Sequence, residues 1–383
     1  MNEIKLHSKL PEVGTSIFAV MSKMAVENKA INLSQGFPDF NCSDRLLELV
    51  HHYQLKGFNQ YAPMPGIPLL RESISAKTKK HYGVSFNPDS EITVTAGATE
   101  ALFASITALI HPGDEVILFE PAYDSYSPAI LLSGGITVYI PLTDGDFRID
   151  WYKVEKSVNN KTKMIIINSP HNPTGSVIND EDVKRLEQLS NRYNFYILSD
   201  EVYEHIIFDD HKHITLSSSP MLKERSIIIS SFGKTFHTTG WKVGYICASS
   251  YITNEIRKVH QFIVFAVNTP IQYAYAEYLK DETSYLHLNK FYEDKRDFVI
   301  KLFEKTKFKM IPAKGTYFQL LDYSGISDKG DFEFSEYLAK EIGVAVIPLS
   351  PFYSGKYDGK LIRICFAKSE AVIEHAAERL MKL

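Results

Sequence analysis

Cysteine is scarce in this chain of 383 residues: only Cys42, Cys247 and Cys365 occur, and no two form a CxxC spacing. That argues against a disulfide framework and fits a reducing cytoplasm, with the three thiols read as packing residues. The histidines show no HxxxH spacing, so no structural or catalytic metal is expected. No apolar run approaches the roughly 18 residues of a membrane span. The segment Met1 to Leu10 is polar and lacks the apolar core of a signal peptide. Charge of one sign is lacking too. The 42 basic and 46 acidic residues leave a net charge of −4, which gives no reason to expect nucleic acid or an anionic membrane as partner. Internal repeats and low-complexity segments are absent. What remains is the composition of a soluble globular enzyme, long enough for a large core split into two domains.

From about residue 90 to 250, short apolar runs alternate with longer helical stretches. Candidate strands are 91–95, 115–119, 136–140, 164–168, 195–199, 226–230 and 243–247, rich in Ile, Val, Phe and Tyr. Helical candidates such as 99–110 and 180–193 lie between them. The alternation reads as an α/β domain on a mostly parallel sheet. The last three strand candidates lack long helices between them, so the sheet should be mixed. Beyond about residue 281 the character changes. A charged helix over 286–305 leads to strands at 316–321, 344–347 and 361–366 and helices at 332–341 and 369–383, the pattern of a smaller α+β domain.

The chemistry concentrates in Ser230-Ser231-Phe232-Gly233-Lys234, followed by Trp241-Lys242-Val243-Gly244. One lysine follows a strand among small hydroxylated residues, and a second cation sits eight positions later. This suits a Schiff-base lysine beside a phosphate site, and pyridoxal 5'-phosphate (PLP) has both the aldehyde and the phosphate. Such a cofactor also wants an acidic partner for its pyridinium nitrogen. Asp200, in Ser199-Asp200-Glu201-Val202-Tyr203, is the candidate, at a strand end where α/β sheets present ligand-facing residues. Gly97-Ala98-Thr99 lies between a strand and a helix, where free N–H groups favour a phosphate. Thr99 also reads as a simple helix N-cap. Arg363, inside the apolar run Leu361 to Phe366, needs a partner, either a substrate carboxylate or an internal salt bridge.

These residues stand in blocks: Asn32 to Phe40 (NLSQGFPDF), Asn59 to Pro63, Thr95 to Ala101, Asn168 to Gly175 (NSPHNPTG), Ser199 to Tyr203 and Ser231 to Gly244. In that order and spacing the chain resembles the class I, fold-type I PLP-dependent aminotransferases from about Leu10 onward, most closely the methionine and kynurenine aminotransferase branch. The resemblance implies a large PLP-binding domain at 44–280, with a mostly parallel seven-stranded sheet. It implies a small α+β domain made of 1–43 and 281–383. It assigns catalysis to Lys234, Asp200 and Tyr203. PLP would be held by these three together with Gly97, Ala98, Thr99, Tyr123, Asn172, Ser231 and Lys242. Substrate would meet Gly36, Asn172 and Arg363, with Phe18 and Phe265 lining the side-chain pocket. Tyr61 would reach the phosphate of a neighbouring subunit, making the enzyme a cytoplasmic homodimer with composite active sites. Lysine at 242 departs from the arginine of many relatives and supplies a point charge without the bidentate fork.

The same residues would serve β-elimination from cysteine conjugates as a side activity. A PLP-binding transcriptional regulator is a further alternative. It would need a winged helix-turn-helix, and only about ten residues, with no basic arm, precede the resemblance. The aromatic residues, and the lack of a second arginine in a family-matched position, favour methionine as donor. Phenylalanine, histidine, glutamine and kynurenine are also plausible, and aspartate should be poor.

Overall fold

The computed structural model describes residues 7–357 and 359–383. A helix at Ile17–Glu27, capped by the Ser16 hydroxyl, precedes the short strand β1 (Ile31–Asn32). Seven strands then build the main sheet: β2 (Ile92–Thr95), β3 (Glu115–Glu120), β4 (Ile136–Pro141), β5 (Thr162–Asn168), β6 (Tyr196–Asp200), β7 (Ser226–Ser231) and β8 (Gly244–Ala248). Their spatial order is β2-β8-β7-β6-β5-β3-β4. Strands β5 to β8 are buried along nearly their whole length, as expected of strands covered by helices on both faces. All neighbours pair in parallel except β8, which runs antiparallel to β2 and β7. The link from β7 to β8 holds only two short helical turns, so no crossover helix returns the chain in parallel. The expected strands of this sheet lie within two residues of the observed ones, and the mixed character is as expected.

The remaining strands are β9 (Lys309–Ile311), β10 (Phe318–Asp322), β11 (Val344–Ala345), β12 (Ile347–Pro348) and β13 (Leu361–Cys365). They form an antiparallel sheet in the order β12-β13-β10-β9, while β11 pairs in parallel with β1. The single strand expected at 344–347 is therefore two, because its halves serve different partners. The strand expected from 316 starts at Phe318, because Thr316 adopts a left-handed backbone (φ 68°). The helix expected at 286–305 is split into Thr283–Leu286 and Leu288–Phe303. The one expected at 332–341 begins at Asp331 and widens into a π turn over Leu338–Ile342.

Register positions the site. Asn168 pairs with Asp200 at the carboxyl ends of β5 and β6. Because β8 is antiparallel, its first residue, Gly244, lies opposite both Thr95 and Ser231. The Gly97 turn, Ser231 and Lys242 thus reach one edge of the sheet from three distant stretches of sequence.

Candidate active site

A cavity of about 300 Å³ opens at this edge, where open α/β sheets bind ligands. Every residue singled out from the sequence lines it except Tyr61 and Phe265. Lys234 sits in the short helix Phe232–Thr235 directly after β7. Its Nζ donates to the Tyr317 hydroxyl at 2.9 Å and to the Gly36 carbonyl at 3.3 Å. Burial pushes its pKa down to about 8. Lys242 and Arg363 add to the shift, while Cys365 and Asp200 oppose it. A neutral amine is therefore within reach near physiological pH.

Asp200 ends β6 and is 4% exposed. Its Oδ2 accepts from the Tyr126 hydroxyl at 2.7 Å. Its Oδ1 is buried with no partner among the described residues. Burial raises the carboxyl to about 6, against the lowering effect of Tyr126, the Val202 backbone and Lys234. A buried, half-satisfied carboxylate calls for a further donor. A protonated pyridine nitrogen is such a donor, so the site fits PLP. Asn168 fixes the surroundings. Its Nδ2 donates to the Asp200 carbonyl and its Oδ1 accepts from the Asn172 N–H, both at 2.9 Å. Tyr203 is buried, and burial pushes its phenol far up, so the hydroxyl stays protonated.

The end of the cavity around Gly97 and Lys242 suits an anion. Gly97 takes φ +76°, and a Cβ there would lie 3.3 Å from Lys242 Nζ, in the space an anion would need. The helix Gly97–Leu109 has no side-chain cap, which leaves its first N–H groups for an anion. Its cap position is Ala96, so Thr99 is not the N-cap. The helix begins three residues earlier than that reading requires, and the Thr99 hydroxyl instead accepts from Lys242 Nζ at 3.4 Å.

Arg363 enters from β13 and is fully buried. Its Nη1 donates to Asn172 Oδ1 at 2.6 Å and its Nη2 to the Ser34 carbonyl at 3.2 Å, while Nε has no partner among the described residues. Burial lowers its pKa to about 10, which still leaves a cation at neutral pH. The guanidinium lies 3.8 Å from the Phe318 ring centre, with Phe18 at 5.2 Å and Phe352 at 5.6 Å. Phe18 also meets Phe352 edge-on at 5.9 Å and Tyr123 at 6.4 Å. Among the described residues Arg363 is the only arginine lining the cavity.

Two of these residues stand apart from the cavity of the single chain. Tyr61 is 84% exposed and Phe265 51% exposed, and neither lines the cavity. Phe265 follows the helix Ser250–Ile263 in a left-handed conformation (φ 67°), which turns it away from the core. The two rings meet edge-on at 5.3 Å on the surface. Sequence reasoning missed Tyr126, Tyr317, Phe318 and Phe352. Only Tyr126 carried a cue, standing three residues after Tyr123. Among the described residues no cluster of His, Cys, Asp or Glu could hold a metal, and no helix is long and apolar enough to cross a membrane.

A parallel-rich sheet with a lysine, an aspartate and an anion cradle at its carboxyl edge defines a fold-type I transferase. The family described as aminotransferase class I and II matches residues 28–380, and the chain belongs to it. It is 49% identical over 383 residues to the methionine aminotransferase of Escherichia coli (strain K12), covering 100% of this chain and 99% of that one. A crystal structure from Escherichia coli, described as identifying a methionine aminotransferase function, superposes with a TM-score of 0.97 at 49% identity over 100% of both chains. The N-succinyldiaminopimelate aminotransferase structure from Mycobacterium tuberculosis gives 0.96 at 35% identity, over 99% of this chain and 100% of that one.

Proposed function

We propose that this chain is a PLP-dependent aminotransferase that takes the amino group of an L-amino acid, methionine before others, and passes it to a 2-oxo acid in a ping-pong cycle. The observation that carries the substrate reading is the lone Arg363, with one unpartnered N–H, set in an aromatic wall. Likeness to the Escherichia coli methionine aminotransferase supports it.

Lys234 would hold the cofactor's aldehyde carbon, and Gly97, Ala98, Thr99, Ser231 and Lys242 its phosphate. Asp200 would hold the ring nitrogen, Tyr203 and Asn172 the phenolic oxygen, and Tyr123 the ring face. When bound, PLP supplies an electron sink for the carbanion left at the substrate Cα. Arg363, with Asn172 and Gly36, orients the α-carboxylate so that the Cα–H bond faces Lys234. The freed Lys234 amine takes the Cα proton at Nζ and returns it on the cofactor side. Phe18, backed by Phe352, and Tyr123 exclude water and pack a thioether favourably, at about 0.3–1.5 kcal/mol per contact. A distal carboxylate buried there without a partner would cost several kcal/mol.

The exposed pair Tyr61 and Phe265 suits a homodimer in which a second copy brings Tyr61 to the phosphate. The three free cysteines suit a cytoplasmic setting. Measured kcat/KM values test the substrate reading. Methionine should exceed aspartate by at least about 100-fold, the factor expected from an unpaired buried carboxylate. An aspartate value equal to or above that of methionine would sink it.

A further inference from the structure

The Lys234 amine has more than one neighbour that could quench it, and the hydrogen-bond directions around it decide whether it can act as a base. A neutral amine has two N–H groups and one lone pair. One N–H goes to the Tyr317 hydroxyl oxygen at 2.9 Å and the other to the Gly36 carbonyl at 3.3 Å. The Tyr317 hydroxyl has a single proton, and it is committed to the same Gly36 carbonyl at 2.7 Å. Tyr317 can therefore only accept from Lys234 and cannot donate to its lone pair. Both N–H groups are occupied, and the lone pair is left free.

The backbone goes to some length to present this hydroxyl. Thr316, a buried β-branched residue, is held at φ 68°, an outlier conformation that typically costs about 1–3 kcal/mol. The Ile206 carbonyl accepts from its N–H at 2.9 Å, and its own hydroxyl accepts from the Phe318 N–H at 3.2 Å. Tyr317 follows, fully buried, with its ring edge-on to Tyr203 at 5.2 Å and tilted against Tyr292 at 5.7 Å. On the other side Gly36 admits no side chain. A Cβ there would come within 2.8 Å of the Phe318 ring and 3.9 Å of the Tyr317 ring. The two acceptors for the amine are thus fixed against each other, one by strained backbone and one by ring packing.

We propose that Tyr317 is a positioning residue for proton transfer: its hydroxyl, locked onto the Gly36 carbonyl, holds the freed Lys234 amine with its lone pair open to the substrate Cα. Burial holds the Tyr317 phenol well above its ordinary range, so the hydroxyl keeps the proton that it donates to the Gly36 carbonyl at 2.7 Å. Gly36 also lines the cavity, so the residue proposed to meet the substrate through its backbone N–H is the one whose carbonyl orients the amine. When the amine takes the Cα proton it becomes an ammonium with three N–H groups, two of which find these acceptors already in place.

This inference rests on reading Lys234 as the proton carrier. The test is Tyr317→Phe in the full-length chain, a change that keeps the ring contacts, with the melting temperature recorded alongside. The variant should lose about 10- to 100-fold in kcat, the range for a misplaced catalytic group, with KM changing far less. The deuterium isotope effect with a Cα-deuterated donor should rise as proton transfer becomes rate-limiting. In cofactor-stripped protein, the pH midpoint for labelling Lys234 with an amine-reactive reagent should move to lower pH, because an acceptor that favours the ammonium is gone. An unchanged kcat, isotope effect and labelling midpoint would overturn the proposal. So would a lowered melting temperature with kcat and KM damaged alike, which would mark Tyr317 as core packing. If the wild-type chain itself fails to transaminate, the functional reading falls. If it transaminates and Tyr317→Phe matches it, only this inference falls.

Discussion

Asp200 and Glu204 are four residues apart, both acidic and both about 5% exposed or less, yet the protein treats them in opposite ways. Asp200 faces the cavity with one oxygen held by Tyr126 and the other without a partner among the described residues, and burial raises its carboxyl to about 6. Glu204 lies outside the cavity, in a closed polar cluster. It pairs with Lys77 at 2.7 Å and accepts from Tyr82 at 2.5 Å, from Tyr245 at 3.2 Å and from Ser230. Burial alone would raise it, but Lys77, His205 and His213 hold it well below the usual carboxylate range. Glu201, between them, is likewise saturated by Ser199, His213, Thr215 and the Leu216 N–H. A buried acid whose partners are all supplied by the chain serves the fold. One whose partner is withheld is kept for a ligand.

Substitutions at Lys234 and along this segment can break or sharpen that contrast. The largest effect should come from Lys234→Ala, which removes the group proposed both to attach the cofactor and to act as base. Turnover should fall by at least about 10³-fold and the yellow colour of lysine-bound cofactor should vanish. Wild-type turnover in this variant would mean that another lysine does the chemistry.

Next come the two acids as a pair. Asp200→Asn should lower kcat by about 10²- to 10³-fold, the scale of one lost electrostatic partner. It should not destabilise the stripped chain. The folded pKa of Asp200 is raised above its unfolded value, so its charge opposes folding as pH rises through about 6, and asparagine removes that penalty. Glu204→Gln should do the reverse, leaving kcat per folded enzyme within a few-fold. Stability should fall by about 3–5 kcal/mol, because Lys77 is left buried and unpaired. Thermal melts and kcat measured on both variants check this, and matching profiles would erase the distinction.

A smaller effect is expected at Tyr126→Phe. Removing the hydrogen bond that lowers the Asp200 pKa should raise that pKa further and cost about 1.5–3 kcal/mol of support for the ionised form. The rate should drop by roughly tenfold, with the loss concentrated at low pH. A pH–rate profile identical to wild type would show that Tyr126 only packs.

The smallest is a pH dependence. Uptake of PLP by stripped protein should quicken as pH rises through about 8, where the Lys234 ammonium releases its proton. Stopped-flow absorbance reads it directly, and a midpoint near that of an ordinary lysine would mean that burial does not act on this amine.

The block order from Asn32 to Gly244 and the alternation of β-branched runs determined the family, the main sheet and its mixed character, and singled out Lys234 and Asp200 as candidates, while the apolar run Leu361 to Phe366 singled out Arg363. Those signals are local: a strand needs about five apolar residues in a row, and a phosphate turn needs a glycine beside a helix start. Only the tertiary structure decided which lone aromatics matter. Tyr126 and Tyr317 are two of 22 tyrosines, without a flanking motif of their own. Their hydroxyls gain meaning from contacts across 74 and 83 residues of chain, to Asp200 and Lys234. The tertiary structure also turned Tyr61 and Phe265 outward, and it showed Thr99 to lie inside its helix and not at the cap. The physical reason is the same throughout. Local propensity sets which element forms, but the partners of a hydroxyl or a carboxylate are set by register and by packing between elements that the sequence does not print side by side.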